Sequence, residues 1–285
     1  MASVISSNIE SLIQPKSLGK FRFVAVAEGG VCEVYRAEPL SGSGPSLAIK
    51  RIRDIWRHHK GVNHQFEIEA KIVQSLFYPT LPRYVSRGVL KGKAYYAYEF
   101  FHGMPLLKLW QQQGSTDPDK LLKMSIACGI EILEQLYYLH SRPNPIYHGD
   151  ISAENIILDR DGHVHLVDFG CAHTQKEADE KSYQWLGKPS YISPEQAKGE
   201  PWDGRSDLYQ VGVMLYEMIT SKRWNRGRSP REKVLFAASK QTMAPNFLAE
   251  LVGSSASQLV AGLLAPDANH RIQTAGEALA LLKQG

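Results

Sequence analysis

The sequence predicts an α+β protein whose strands and helices are segregated along the chain. Up to about residue 101, short β-branched and aromatic runs alternate with Gly-containing turns, and one helical pattern interrupts them. After His102-Gly103 the pattern changes to segments of helix length. A small strand-rich part should therefore precede a larger helical part. A cleft between two such parts is a place that ligands prefer.

Composition indicates an ordinary globular protein and excludes several function classes. The 285 residues are 43% hydrophobic and 22% charged, as is usual for soluble domains. A net charge of +4 is too weak to argue for a nucleic-acid partner, and no apolar run approaches the ~18 residues that span a bilayer. Cys32, Cys128 and Cys171 form no C-x-x-C pair, which favours reduced thiols in the cytoplasm.

Local patterns place the elements of the N-terminal part. Residues 1–19 are polar and small, and they predict a loose arm. Hydrophobic periodicity predicts one helix at 62–77, ended by Pro79 and Pro82. The predicted strands lie at 21–27, 31–39, 46–52, 83–90 and 93–101, with turns at 28–30, 41–45 and Lys91-Gly92.

The C-terminal part should be mainly helical. Its first long helix should run from Asp117 to His140, with Thr116 or Asp117 as the N-cap and Pro118 in the first turn. Two short strands, 155–159 and 163–169, should turn at Asp161-Gly162. Further helices are predicted at 207–220, 230–239, 255–265 and 274–283, the first of them apolar nearly all round and therefore buried.

Five residues that suit phosphate chemistry follow one another along this pattern. Lys50 ends the strand motif LAIK, and Glu69 lies on the next predicted helix. Asp150 and Asn155 share the segment YHGDISAENIIL, and Asp168 begins DFG. Nucleotide phosphates repel a nucleophile, so a lysine and carboxylate-bound metal ions are needed to neutralise their charge.

The order and spacing of these motifs resemble the protein kinases, of the eukaryotic-like Ser/Thr type found in bacteria, over about residues 21–283. The resemblance implies a two-lobed kinase fold, with a small antiparallel β lobe carrying one helix and a larger, mainly α lobe. It places the N-terminal arm at 1–19, the first lobe with its hinge at 20–101, and the second lobe at 102–285. It also implies ATP as the cofactor, with Mg²⁺ or, in its place, Mn²⁺.

The same resemblance assigns a role to each of the five residues. Lys50, oriented by a pair with Glu69, would hold the α- and β-phosphates of ATP. Asp150 would orient the acceptor hydroxyl and take its proton. Asn155 and Asp168 would bind the metal ion.

The family also supplies positions for the rest of the nucleotide site. AEGGVCEV stands where kinases have a Gly-rich phosphate loop, but of the usual three glycines only Gly29 is kept. Tyr98 falls at the gatekeeper position, and backbone groups of Glu99 and Phe101 would bind adenine. The implied nucleotide contacts are Ala27, Gly29, Gly30, Cys32, Val34, Ala48, Lys50, Tyr98, Glu99, Phe101 and Ile157.

Two distal motifs favour a protein kinase over a small-molecule kinase, which can also carry H-G-D. SYISPEQ resembles the A-P-E segment, so Glu195 is expected to pair with Arg271. RSDLYQVGVMLYEMIT resembles the helix whose aspartate, Asp207, braces the catalytic loop. A surface pair is the alternative for Glu195 and Arg271.

Three substitutions depart from the family pattern. Gly149 replaces the arginine that normally receives an activation-loop phosphate, which makes the catalytic loop non-RD. Loop phosphorylation read at this position should therefore not be required. Ser152 stands where most Ser/Thr kinases have lysine, and Lys188 stands where they have threonine. Either the Lys188 ammonium takes over the charge role beside Asp150, or it points to solvent.

We expect an ATP- and Mg²⁺-dependent kinase that acts on protein Ser/Thr hydroxyls, itself included. The rival from another class is a pseudokinase that binds nucleotide and serves as a scaffold. The basic loop 222–233 would favour acidic substrates or partners, although most charge runs are solvated faces. The partner is then a protein substrate, with no nucleic acid and no membrane span, and regulation would come from the N-terminal arm or another polypeptide. The sequence gives no oligomeric state.

Overall fold

The computed structural model describes most of the chain. Three sets of predicted features lie outside the described residues: the 1–19 arm, parts of the 41–45 turn with all of Lys91-Gly92, and the cap residues Thr116 and Asp117. The chain divides between His102 and Gly103 into two compact units. The described ranges are 21–40, 42, 44–90, 93–112, 118–178, 187–239, 241–244 and 247–283.

The first unit is a five-stranded antiparallel sheet with one helix. The sheet order is β1-β2-β3-β5-β4. A short 3-10 turn, Asp54–Trp56, and helix α1, Lys60–Gln74, lie between β3 and β4. The strands are β1 (Phe21–Glu28), β2 (Cys32–Pro39), β3 (Leu47–Ile52), β4 (Tyr84–Leu90) and β5 (Lys93–Glu99).

Helix α1 begins and ends earlier than its hydrophobic pattern predicts. The His59 side chain accepts the Val62 N–H and caps the start. The Ser75 hydroxyl and amide both donate to the Ile72 carbonyl, which closes the last turn at Gln74. Leu76 is buried but lies beyond the helix, so its apolar character reflects the core and not the helix period.

The strand register separates the two faces of the sheet. Tyr35, Ile49 and Ala97 are aligned across β2, β3 and β5, and they belong to one buried cluster. Lys50 is aligned with Val34 and Tyr96, one residue out of phase, and therefore lies on the opposite face. The register thus gives one face to the apolar cluster and the other to Lys50.

The second unit is mainly helical. It contains a three-stranded sheet of order β6-β8-β9 and a two-stranded pair, β10-β7. None of the helices described here is long and apolar enough to cross a membrane. In chain order the elements are β6 (Gly103–Pro105), α2 (Leu106–Gln112), α3 (Pro118–His140), β7 (Ile146–Tyr147), β8 (Ile156–Asp159), β9 (Val164–Leu166), β10 (His173–Thr174), α4 (Gln175–Ala178), α5 (Pro194–Lys198), α6 (Gly204–Thr220), α7 (Pro230–Ala238), α8 (Ala249–Leu263) and α9 (Ala275–Lys283).

Helix α6 is the buried centre of this unit. Every residue from 206 to 218 is buried, which confirms the prediction from its apolar composition. The helix begins at Gly204 instead of Asp207, because the Asp203 side chain accepts the Arg205 N–H and caps it there. Elements that the sequence did not predict, such as β7, α5 and α2, have two to seven residues, too few to show a clear period.

The S-P-E segment forms a capped helix that presents Glu195. Ser193 and Gln196 make a reciprocal capping box, and Pro194 occupies the first turn of α5. Glu195 accepts two hydrogen bonds from the Arg271 guanidinium, at 2.7 and 3.0 Å, and a further one from the Ser206 hydroxyl. Both charged residues are buried. The expected pair is therefore present as an internal tie and not as a surface pair.

This tie depends on Glu195 remaining ionised. Burial pushes the Glu195 pKa upward, but the hydrogen bonds and charge of Arg271, with the Ser206 hydroxyl, outweigh it and hold the pKa below its usual value. A carboxyl whose folded pKa is depressed contributes stability above its unfolded pKa. That contribution is lost as the pH falls through the folded pKa.

We predict that Arg271→Met lowers the free energy of unfolding at pH 7 by about 3–5 kcal/mol, because it leaves the buried Glu195 charge without its partner. The loss should shrink as the pH falls, because the unpartnered Glu195 of the variant is protonated at a higher pH than the paired Glu195 of the wild type. Urea unfolding at pH 7 and at acid pH measures both quantities. The double variant Glu195→Gln/Arg271→Met should be more stable at pH 7 than Arg271→Met alone. If it is not, the buried charge is not the cause of the loss.

Candidate active site

In the first unit, Lys50 is held by a buried carboxylate. Its Nζ lies 2.5 Å from Glu69 Oε1, and both side chains are almost fully buried. The Tyr96 hydroxyl donates to the same oxygen at 2.8 Å. Burial, and next the Glu69 charge, raise the Tyr96 pKa well above its usual value, so the phenol stays protonated and continues to donate. The pair that the spacing predicts is present, with Tyr96 as a third member.

The strand register groups several predicted nucleotide contacts on the Lys50 face. Ala27 is aligned with Val34, which is aligned with Lys50. Ala48 is two residues from Lys50 and opposite Tyr98, so it projects from the same face. This face presents small side chains beside an ammonium group, as an adenine and phosphate site would require.

The loop between β1 and β2 is held by donors from outside it. The Gly29 N–H donates to the Cys32 carbonyl at 2.9 Å and closes a tight turn. The Arg53 guanidinium donates to the Gly29 carbonyl at 3.0 Å, and the Trp56 indole donates to the Gly30 carbonyl at 2.8 Å. The loop is therefore braced by the segment that follows β3.

Backbone hydrogen bonds hold the predicted hinge residues at the end of β5. Glu99 N–H donates to the Arg83 carbonyl at 3.0 Å, and Phe100 N–H donates to the Ser46 carbonyl at 2.9 Å. These bonds fix the strand end that precedes Phe101, which the resemblance assigns to adenine.

In the second unit, α6 braces the backbone of the loop that carries Asp150. Asp207 Oδ2 accepts the His148 N–H at 2.9 Å, and Oδ1 accepts the Gly149 N–H at 2.7 Å. One turn later, Gln210 accepts the Ile151 N–H and donates to the Gly149 carbonyl. Two polar side chains on an otherwise apolar helix thus satisfy four backbone groups of residues 148–151.

The Asp207 carboxylate is ionised although it is fully buried. Burial raises its pKa, but the hydrogen bond and charge of His140, whose Nε2 lies 2.9 Å away, together with His148 and the Gly149 N–H, bring it below the usual value. His148 responds in the opposite direction, since burial lowers its pKa and keeps the ring neutral. Its Nδ1 accepts the Asp150 N–H, so Nε2 carries the proton and donates to the Val167 carbonyl at 3.2 Å. This bond ties Asp150 to the strand end before Asp168.

Asp150, Asn155 and Lys188 form one hydrogen-bonded group. Asn155 Nδ2 donates to the Asp150 carbonyl and to its Oδ2, each at 2.8 Å. Lys188 Nζ donates to the same Oδ2 at 2.8 Å and to Asn155 Oδ1 at 2.9 Å. The Lys188 backbone N–H donates to Asp150 Oδ1. The lysine stem therefore folds back onto the acidic loop and does not extend into solvent.

Electrostatics keep the Lys188 ammonium charged in this position. Burial disfavours the charge, but Asp150 above all, with Asp168 and Glu154, outweighs burial and raises the pKa of Lys188. Ser152 is fully buried, and its hydroxyl has no hydrogen-bond partner in the described part of the chain. The cation of this site is thus supplied from position 188, and position 152 contributes none.

The oxygen ligands available here suit a hard cation. Asp168 has a left-handed backbone with φ +65°, and Asn155 adds an amide oxygen. Magnesium is usually held by one or two protein oxygens together with substrate phosphates. No group of three or more His, Cys, Asp or Glu side chains that could hold a metal ion is found among the described residues. Ile157, two residues after Asn155, lies in β8 and is aligned with His165 of β9.

Gly149 has no room for a side chain. Its φ is +74°, and a Cβ would lie 2.4 Å from Cη2 of Trp202. The indole in turn packs edge-on against the His173 ring at 4.2 Å. An aromatic group therefore closes the position from which the family's arginine would project.

Several supporting residues were not predicted from the sequence. Gln210 had a detectable signal, because a polar residue three positions after Asp207 on an apolar helix needs a buried partner. Tyr96 and Trp202 had no such signal in the sequence, since an aromatic residue in a strand or a loop is normally expected to be an ordinary core residue. Arg53 and Trp56 likewise become partners of the β1–β2 loop only through folding.

We predict that Gly149→Ala lowers the free energy of unfolding by about 2–5 kcal/mol. The left-handed backbone costs a non-glycine residue about 1–2 kcal/mol, and overpacking against Trp202 costs about 1–3 more. Gly199→Ala is the matched control, because Gly199 has φ +70° but nothing within 4 Å of an added Cβ. Equal losses in the two variants, measured by urea unfolding, would show that Trp202 does not close this position.

The comparisons with known proteins agree with this geometry. The protein kinase domain family matches residues 23–281. The chain is 30% identical over 273 residues to a probable serine/threonine-protein kinase of Streptomyces coelicolor, covering 93% of this chain and 40% of the relative. It is 28% identical over 276 residues to serine/threonine-protein kinase PrkC of Bacillus subtilis, covering 95% and 41%.

The chain is also similar to a kinase that is named for another acceptor residue. The chain is 27% identical over 230 residues to tyrosine-protein kinase MasK of Myxococcus xanthus, covering 77% of this chain and 35% of the relative. The chain spans about two fifths of the length of the curated relatives it matches. Because the family match extends over most of the sequence and the fold has the two units of that family, this chain belongs to the protein kinase domain family.

Proposed function

We propose that this domain transfers the γ-phosphoryl group of ATP to Ser or Thr hydroxyls of proteins. The observation that carries the proposal is the Asp150 carboxylate, positioned by Asn155 and Lys188 and held on a loop whose backbone α6 braces. In this geometry Asp150 orients an acceptor hydroxyl and receives its proton. Ser/Thr specificity is supported by the similar serine/threonine-protein kinases of Streptomyces coelicolor and Bacillus subtilis, whereas the relative MasK is a tyrosine-protein kinase.

The other residues supply charge and position. Lys50, fixed by Glu69 and Tyr96, binds the α- and β-phosphates. Asp168 and Asn155 would hold Mg²⁺, which would neutralise phosphate charge. Lys188, whose Nζ lies 2.8 Å from Asp150 Oδ2, supplies positive charge for the transferred group.

The scaffold and small-molecule alternatives have weaker support. A module without catalysis would have no chemical need to retain all five of the residues Lys50, Glu69, Asp150, Asn155 and Asp168. A small-molecule kinase would not require the S-P-E segment that ties α5 to Arg271.

None of the three cysteines forms a disulfide, which supports the cytoplasmic location that we propose.

The first test is phosphate transfer from labelled ATP with Mg²⁺ to the domain itself and to a mixture of unfolded acceptor proteins. Asp150→Asn should lower the rate by at least about a hundredfold, because general-base assistance contributes that much or more. Asp161→Asn, an exposed carboxylate in the β8–β9 turn, should have no effect and serves as control. Label on tyrosine alone would contradict the Ser/Thr specificity. A folded protein that binds ATP without transfer would favour the scaffold.

A second prediction concerns the charge at position 188. Lys188→Met should reduce kcat by about a hundredfold, the usual cost of removing one preorganised electrostatic group, with little change in the affinity for ATP. Lys198→Met removes an exposed cation of α5 and should leave kcat unchanged.

Exchanging the two positions separates charge from local structure. Ser152→Lys/Lys188→Thr returns the cation to position 152 and should recover part of the rate that Lys188→Thr loses. If Lys188→Met keeps the full rate, the ammonium has no role in transfer. If the exchange recovers nothing although the variant is folded, position and not charge is what matters.

A further inference from the structure

A cavity of about 420 Å³ adjoins Lys188 in the second unit. Ligand pockets in proteins begin at about 300 Å³. One wall is the 188–191 segment, and the opposite wall is the loop 223–228 with the first turns of α7. Its lining residues are Glu154, Lys188, Ser190, Tyr191, Arg223, Asn225, Gly227, Arg228 and Lys233.

The charge of this lining is unbalanced. Lys188 is paired with Asp150 and Glu154, and Arg223 is paired with the buried Glu217 at 2.8 Å. The Lys233 ammonium donates to the Ser190 hydroxyl, at 2.8 Å. Arg228 uses its backbone N–H to bond Glu232. Within the part of the chain that the structure describes, neither of these two cations has a carboxylate partner.

The buried side-chain amide of Asn225 joins the two walls of the cavity, so the basic residues here do not simply form a charged surface loop. Asn225 Nδ2 donates to the Pro189 carbonyl at 3.3 Å and to the Lys233 carbonyl at 2.9 Å. Its Oδ1 accepts the Gly227 N–H at 3.1 Å. One buried residue thus fixes the 187–191 segment, the basic loop and α7 around the same space. Cations held apart in this way are preorganised for an anion, which lowers the cost of binding it.

We infer that this cavity binds an anionic side chain of the protein substrate, a carboxylate or a phosphate, a few residues from the acceptor hydroxyl. The inference rests on the proposed function, because it assigns the cavity to the substrate that Asp150 would phosphorylate. Lys188 forms part of the cavity wall and also contacts Asp150, so an anchored side chain lies beside the acceptor site. Arg228 and Lys233 bind the anion through charge-assisted hydrogen bonds.

Direct binding tests the cavity without requiring catalysis. Fluorescent peptides share one neutral sequence around a serine, with Glu, Gln or phosphoserine placed at each nearby position in turn. Anisotropy should show the Glu peptide binding at least about tenfold more tightly than the Gln peptide at the best position, as these two cations allow. Phosphoserine, with its greater charge, should bind more tightly than Glu if the physiological source is a phosphate, and no better if it is a carboxylate.

Variants then locate the effect. Arg228→Gln/Lys233→Met should abolish the preference while leaving the affinity for the neutral peptide unchanged. Arg226→Gln is the matched control, because Arg226 is an exposed cation of the same loop outside the cavity lining. Equal affinity for Glu and Gln peptides, or equal loss of preference in the Arg226 variant, would overturn the assignment.

The kinetic arm separates this proposal from the proposed function. With ATP, wild-type kcat/KM should follow the same anionic preference, and the double variant should lose it. Anion-selective binding through Arg228 and Lys233 without any transfer would keep the cavity as a binding site and refute the kinase function. Transfer without anionic preference would keep the kinase function and refute the cavity assignment.

Discussion

The chemistry of the second unit depends on one buried carboxylate, Asp207. The loop that carries Asp150 forms few backbone hydrogen bonds of its own, and an unsatisfied buried N–H costs about 1–3 kcal/mol. Asp207 accepts two of these N–H groups, and His140 keeps it ionised. Because α6 is buried on all sides, it supplies a rigid support. The position of Asp150 is therefore set by the core of the unit and not by the loop itself.

A second constraint concerns where the positive charge of the site comes from. With glycine at 149 and serine at 152, the catalytic loop has lost two cations that its family usually carries there. Lys188 restores one of them from a different segment. The place of the other is closed by Trp202, whose indole lies where a side chain at 149 would begin. A loop phosphate has no cation to bind at this position, so we expect activity to be set by other means.

The segment that carries Lys188 also borders the basic cavity. The segment that brings Lys188 to Asp150 continues into the wall of the basic cavity, and Asn225 ties it to the loop opposite. Lys188 lies beside Asp150 on this segment, while Arg228 and Lys233 face it from the loop opposite and from α7. Acceptor positioning and selection of an anionic neighbour would then share one structural element.

The sequence by itself determined the order of the long elements and a set of candidate reacting residues. Hydrophobic patterns of period 2 and period 3.6 predict the long strands and helices. Motif spacing groups Lys50, Glu69, Asp150, Asn155 and Asp168 as one candidate set. Short elements such as α5 were not predicted, because a few residues are too short a segment to show a hydrophobic period. Only the tertiary structure decided where Lys188 points, that Trp202 fills the space above Gly149, and that Tyr96 joins the Lys50–Glu69 pair. These depend on contacts between residues up to 53 positions apart, and a pattern read along the chain does not encode which distant side chains meet.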